Sequence, residues 1–189
     1  MNNAKLTAFF SHICFGGFAL LTGWSQFIRS WRKKIIQFHH SLGRLHVLAV
    51  LISFIAGLII SFFATGGVVP GVGFGTLAVL WFTANLTAFG NIRRKNIKGH
   101  QKWMMKSYSL AFSAVTLRVH LSILREDGVE LEPALQIVSF LCWIPNAIVI
   151  EIEIKMRHSE EVSQPLKSKE KEVMIGSLLI ERGFGSERE

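Results

Sequence analysis

The chain has 189 residues, half of them hydrophobic, with 15 Phe and five Trp against a single Tyr, and its mean hydropathy is positive. Charge is nearly absent from long apolar runs and gathers in the links and the C-terminal tail, which excludes a large water-soluble core and indicates membrane spans. The net charge of +8 does not indicate nucleic acid, because the lysines and arginines stand in short links beside apolar runs, where the positive-inside rule puts them.

The first predicted span covers about Leu6 to Ile28. Only Lys5 precedes this run, whereas Arg29, Arg32, Lys33 and Lys34 follow it. This reverses the charge order of a cleavable signal peptide and reads as a first span with its N-terminus outside. His12 shares a helical face with Gly16, Ala19 and Gly23. The second span covers about Leu45 to Ala64. His39 and His46 stand two turns apart and share a face if the helix begins that early, continued by Gly43, Ser53 and Gly57. The Gly-rich stretch from Gly66 to Gly75 lacks the Lys-Ser/Thr of a phosphate loop and reads as a tight turn. A third span follows from about Val72 to Gly90, with Trp81 and Asn85 one turn apart, a pattern for helix packing and interhelical hydrogen bonding. The sequon at Asn85 lies inside this span and should not be glycosylated.

The fourth span, about Met104 to Leu124, belongs to the most distinctive stretch of the chain, Gly99 to His120. A polar, basic head of His100, Gln101, Lys102, Trp103 and Lys106 leads into an apolar run holding Arg118. At about 100° per residue, His100 and Arg118 fall on one face with Ser107, Ala111 and Ala114 between them. An arginine at membrane depth is expensive, so Arg118 is expected to face the interior, with His12 its named partner. His120 lies about 200° round from Arg118, so the two cannot both point inward. The fifth span covers about Pro133 to Ile154, with Glu151 placed to cap a basic cytoplasmic layer near His100 or Arg44.

Positive charge alternates along the links. Arg29 to Arg44, Asn91 to Trp103, and Lys155 with Arg157 are basic; Thr65 to Gly71 has no charge, and Arg125 to Glu132 is acidic. The fold expected is an all-α, multi-pass transmembrane helix bundle of about five spans, N-terminus out and C-terminus in. Residues 1–155 form the bundle, and 156–189 a polar cytoplasmic tail read as largely disordered with at most a short helix. Cys14 and Cys142 lie in apolar segments and read as packing residues.

The histidines carry the candidate chemistry. Neutral imidazoles on facing helices are the usual axial ligands of a b-type heme in a bundle, and His39 or His46 with His100 is the plausible pair, His12 a further ligand candidate. Arg118 and His12 are placed to meet an anionic group such as a propionate, a quinone or a lipid headgroup. The alternative is that these histidines bond backbone carbonyls and need no cofactor. No Ser-His-Asp arrangement, HExxH or dinucleotide fingerprint is present.

Three blocks resemble a bacterial family of predicted membrane proteins, domain of unknown function 2306. They are His12 with the Gly-rich first span and Gly23-x-x-Gln26-Phe27, then His39-x-x-x-Gly43-Arg44, and then His100-x-x-Trp103-Met104-x-x-Ser107-Tyr108 running on to Val115-Thr116-x-Arg118. Trp81 and Trp143-x-Pro145-Asn146 with Glu151 also fit. The resemblance covers about Phe9 to Glu151 and implies an integral membrane protein without specifying an activity. It matches His12, His39, His100 and Arg118, whereas His46 and His120 stand where an aromatic residue is expected, which favours His39 over His46 as a ligand. Three functional readings follow: a multi-pass protein of the cell membrane with a structural His/Arg-lined interior; a b-heme or redox-linked membrane protein; and a small transporter or lipid-handling protein with Arg118 in its path. The partners expected are the lipid bilayer and, for the redox reading, a quinone, heme or membrane redox protein.

Overall fold

The computed structural model describes residues 3–25 and 36–185, and among them it contains helices and no strand. In chain order these are α1 (Asn3–Ser25), α2 (Ile36–Phe62), α3 (Val68–Arg93), α4 (Ile97–Glu126), α5 (Leu131–Leu141) and α6 (Ile144–Gly185). The stretches Lys5–Trp24, His39–Phe62, Val68–Arg93, Ile97–Glu126 and Leu131–Glu160 are long and apolar enough to cross a membrane. Their outward faces carry Phe10, Leu21, Leu48, Ile55, Phe62, Val72, Val119 and Ile148, all exposed. Water would penalise so much exposed apolar surface; hydrocarbon does not.

The chain divides into two compact units, Met1–Ile150 and Glu151–Glu189. In the first, α1 to α4 form a ring in which each helix packs on the next and α4 closes back onto α1. Helices α2 and α4 therefore stand diagonally, and the α1/α4 seam is the slightest of the four. The core draws on every helix of the ring: Ala19, Ala49, Val50, Trp81, Ala84 and Leu110. Small residues dominate because, in lipid, helices associate through close backbone approach. Helix α5 packs outside the ring, against α3 and α4.

The fifth span is one expectation the structure alters, being broken into α5 and α6 at Cys142 and Trp143. The Pro145 ring nitrogen has no proton to continue the helical ladder, and the Trp143 N–H tightens to the Phe140 carbonyl (3.3 Å). Two carbonyls around the break are served by side chains. Trp143 Nε1–H donates to the Ser139 carbonyl at 2.9 Å, and Asn146 Nδ2–H to the Cys142 carbonyl at 3.1 Å. Asn146 also donates to Thr116 Oγ1 (3.0 Å) and its carbonyl accepts from Ser109 Oγ (2.7 Å), which ties the break to α4.

The Gly-rich stretch is a turn only at its start. Gly66 and Gly67 have φ of +95° and +88°, where a Cβ is strained, but α3 begins at Val68 and runs through Gly71, Gly73 and Gly75. Pro70 falls in the first turn of α3, where no ladder proton is needed. Helices α2 and α4 start earlier than their apolar runs. For α4, Asn96 caps the end by accepting from the Gly99 N–H at 2.9 Å.

In the second unit α6 continues as helix to Gly185. Straight-chain Lys, Glu, Met and Leu residues lose little rotamer freedom in a helix, and Glu153 pairs with Arg157 one turn on at 2.7 Å. The basic residues Arg29, Arg32, Lys33 and Lys34, with Gln26 and Phe27, lie outside the described residues.

A Cβ at Gly73 would stand 2.7 Å from Ser139 Oγ and 3.0 Å from its backbone oxygen, whereas one at Gly17 meets nothing within 4 Å. Gly73→Val should therefore destabilise the protein by about 1–3 kcal/mol by prising α3 from α5, whereas Gly17→Ala should be neutral or stabilising by up to about 1 kcal/mol. Detergent-phase thermal or denaturant unfolding of the two variants reads the difference.

Candidate functional site

The sequence-predicted polar residues do not gather at one place. His12 of α1 donates from Nδ1 to the Ser53 carbonyl of α2 at 2.9 Å, and Ser53 Oγ returns a bond to the His12 carbonyl at 3.2 Å. This is a two-way clasp between neighbouring helices. His100, in the first turn of α4, donates from Nδ1 to the Ala88 carbonyl of α3 at 2.8 Å. His39, in the first turn of α2, is half-buried with its ring edge-on to His40, their centroids 6.2 Å apart. Asn85 is buried and donates to Ser107 Oγ at 3.3 Å, linking α3 to α4. Glu151 is exposed and opens the second unit.

Arg118 corrects the sequence reading. It is exposed, as is Ala114 one turn before it, and His12, its expected partner, is bonded to Ser53. The reason lies in how α4 is packed. Its buried line is Met104, Ser107, Leu110, Ser113, advancing in steps of three residues. Each step falls about 60° short of a full turn, so by Ser113 the line has swung about half-way round the helix. The face shared by His100 and Arg118 meets the core near Ser107 and has left it by Arg118. The guanidinium, about 12 Å from the end of α4, is within snorkelling reach of headgroups at the end that carries the acidic Arg125–Glu132 link.

The buried histidine is His46, the one the sequence reading set aside. It is 4% exposed, ten residues into α2, and faces the interior of the ring. Its Nδ1 lies 3.0 Å from Thr22 Oγ1 of α1. The hydroxyl proton of Thr22 goes to the Phe18 carbonyl at 2.8 Å, since a carbonyl can only accept. In the tautomer that keeps this Thr22–Phe18 bond, His46 Nδ1 is the donor to Thr22 and Nε2 carries the lone pair. That nitrogen is buried and has no hydrogen-bond partner. Beside it, the absence of a side chain at Gly23 lets the Tyr108 ring of α4 pack against the α1 backbone: a Cβ there would stand 2.8 Å from that ring and 3.6 Å from His46 Cε1.

Two other buried polar atoms are likewise unpartnered among the described residues: His120 Nδ1, about 18 Å along α4 from Tyr108, and the indole Nε1–H of Trp81 on α3, a residue 7% exposed. Trp81 belongs to the core cluster that includes Ala49 and Val50, the turn after His46. By helix rise, His46 is about 15 Å from the start of α2, Tyr108 about 16 Å from the start of α4 and Trp81 about 18 Å from the end of α3, so the three share a level within about one turn. The buried polar residues of the described chain are Ser, Thr, Asn and His, so this interior carries no fixed charge. No group of three or more His, Cys, Asp or Glu side chains able to hold a metal ion occurs among the described residues.

A family model described as "Predicted membrane protein (DUF2306)" matches residues 9–154. The chain belongs to this family of predicted membrane proteins. The match spans all the helices of the ring and the broken fifth span, so the embedded part of the chain is the family's domain. No curated protein and no solved structure matches it.

The level that contains His46 was legible in one respect. His46 stands inside the apolar run of α2, whereas His39 and His40 stand before it. What periodicity did not reveal was that its Nδ1 meets Thr22 Oγ1 of α1 at 3.0 Å. Nitrogen NMR of the protein in detergent should find His46 protonated at Nδ1 alone. Thr22→Val should remove that preference while shifting stability by no more than about 2 kcal/mol, the upper range for an interhelical hydrogen bond in lipid.

Proposed function

We propose that the protein is a membrane-embedded binding protein whose site is the neutral polar pocket of side chains at the His46 level. The supporting observation is that two of the three buried polar atoms left without partners among the described residues, His46 Nε2 and Trp81 Nε1, fall at this level. An unsatisfied polar group in an apolar interior costs about 1–3 kcal/mol, and two at one level of one core are best accounted for by a group that binds them. The basic link Arg93–Lys98 supports placing that end of the bundle in the cytoplasm, with the pocket in the inner leaflet.

A b-type heme is the second reading, and one observation favours it. His100 Nδ1 donates to a backbone carbonyl, the bond that orients a ligating imidazole, and His39 stands at the same first-turn level on the diagonal helix. The His46 level offers no second imidazole, because its counterpart on α4 is Tyr108. Heme would therefore draw on His39 and His100 and leave the two unpartnered atoms unexplained.

Solvent extraction and mass spectrometry of the purified protein should find a small molecule at stoichiometric level in the wild type and not in His46→Leu. A Soret band lost in His100→Leu and kept in His46→Leu would move the assignment to heme. Absence of any bound molecule, with both variants as stable as wild type, would end the binding reading.

A further inference from the structure

We infer that the molecule bound at the His46 level presents a hydroxyl group on a lipophilic body and reaches the site from the bilayer through the α1/α4 seam. This deepens the binding reading and rests on it. The two unpartnered atoms ask for opposite things: His46 Nε2, held as a lone pair by Thr22, needs a donor, and the Trp81 indole N–H needs an acceptor. A hydroxyl is the smallest organic group that supplies both. A ketone or quinone carbonyl would satisfy Trp81 and leave His46 bare. An amine would donate to His46 but arrive charged. A carboxylate or phosphate head would enter an interior whose buried side chains include no Lys or Arg, where an unpaired charge is strongly disfavoured.

The body of the ligand follows from depth and from access. The level lies just inside the apolar runs, His46 one residue past Leu45 and Tyr108 four past Met104, near one edge of the roughly 30 Å hydrocarbon span. The seam between α1 and α4 is the least packed in the ring, and at this level it is filled by the Tyr108 ring lying over Gly23. His46 Cε1, the carbon between its two nitrogens, is 3.6 Å from where a Gly23 side chain would begin. The imidazole edge therefore faces the seam, and Tyr108 is the side chain that must yield as a ligand passes from lipid.

The test uses the full chain in phosphatidylcholine nanodiscs, with empty discs as the partition control. The probes are 4-dodecylphenol, its methyl ether and 1-dodecanol, and the readouts are the thermal shift and the Trp81 indole and His46 Nε2 resonances. The phenol should bind about tenfold or more tightly than the ether, which can still accept from Trp81 but cannot donate to His46. His46→Phe should abolish the difference between phenol and ether, Trp81→Phe should weaken both, and Gly23→Ala should weaken both while leaving the His46 tautomer unchanged. Dodecanol matching the phenol would place the ligand among aliphatic alcohols, and dodecanol binding weakly among phenols or hydroquinones; each keeps the hydroxyl. Equal binding of phenol and ether overturns the inference, as does a His46 Nε2 resonance already bonded to a trapped water in the empty protein. A different molecule extracted from wild type and lost in His46→Leu overturns the hydroxyl class while leaving the binding reading intact.

Discussion

Hydrocarbon offers a polar group nothing to bond, so each one in the embedded part of this chain must find its partner inside the protein. This requirement organises the bundle more visibly than apolar packing does. His12 and Ser53 exchange two bonds across α1 and α2, His100 reaches the Ala88 carbonyl across α3 and α4, and Asn85 meets Ser107 between the same two helices. The break in the fifth span shows the rule most fully. Pro145 interrupts the ladder, and the indole of Trp143 and the amide of Asn146 occupy the carbonyls around the gap. The Trp143-x-Pro145-Asn146 motif thus brings both the interruption and its repair.

Against that background the two exceptions at the His46 level carry weight. The groups that are satisfied are bonded by helix carbonyls or by neighbouring hydroxyls, while His46 Nε2 and Trp81 Nε1 stand bare inside the ring, and His120 Nδ1 is bare farther along α4. Neutrality sets the chemistry of the place. With Thr22 holding the proton on Nδ1, the site presents one acceptor and one donor and no charge. The α1/α4 seam, the slightest of the ring, is closed at this level by the Tyr108 ring lying against Gly23.

Much of the fold was legible because hydropathy and link charge are local properties. The five apolar stretches, the family blocks and the packing role of the Trp81–Asn85 pair all follow from runs and spacings. The error at Arg118 comes from the treatment of each helix as a straight cylinder with one fixed inner face. The buried line of α4 swings round as its neighbours change, so Arg118 leaves the core that Ser107 enters. The break in the fifth span has a different origin, Pro145, which ends the helical ladder there.

The sequence by itself determined the solvent, the number of crossings and the family, because these depend on how much apolar surface each stretch carries and where its charges lie. Only the tertiary structure decided which histidine is interior and which is a clasp. That choice depends on which helices are neighbours and which stand diagonally, and on Thr22 and Gly23 of α1 meeting His46 of α2. Such meetings bring together residues distant in sequence, and the period of a single helix holds no information about them.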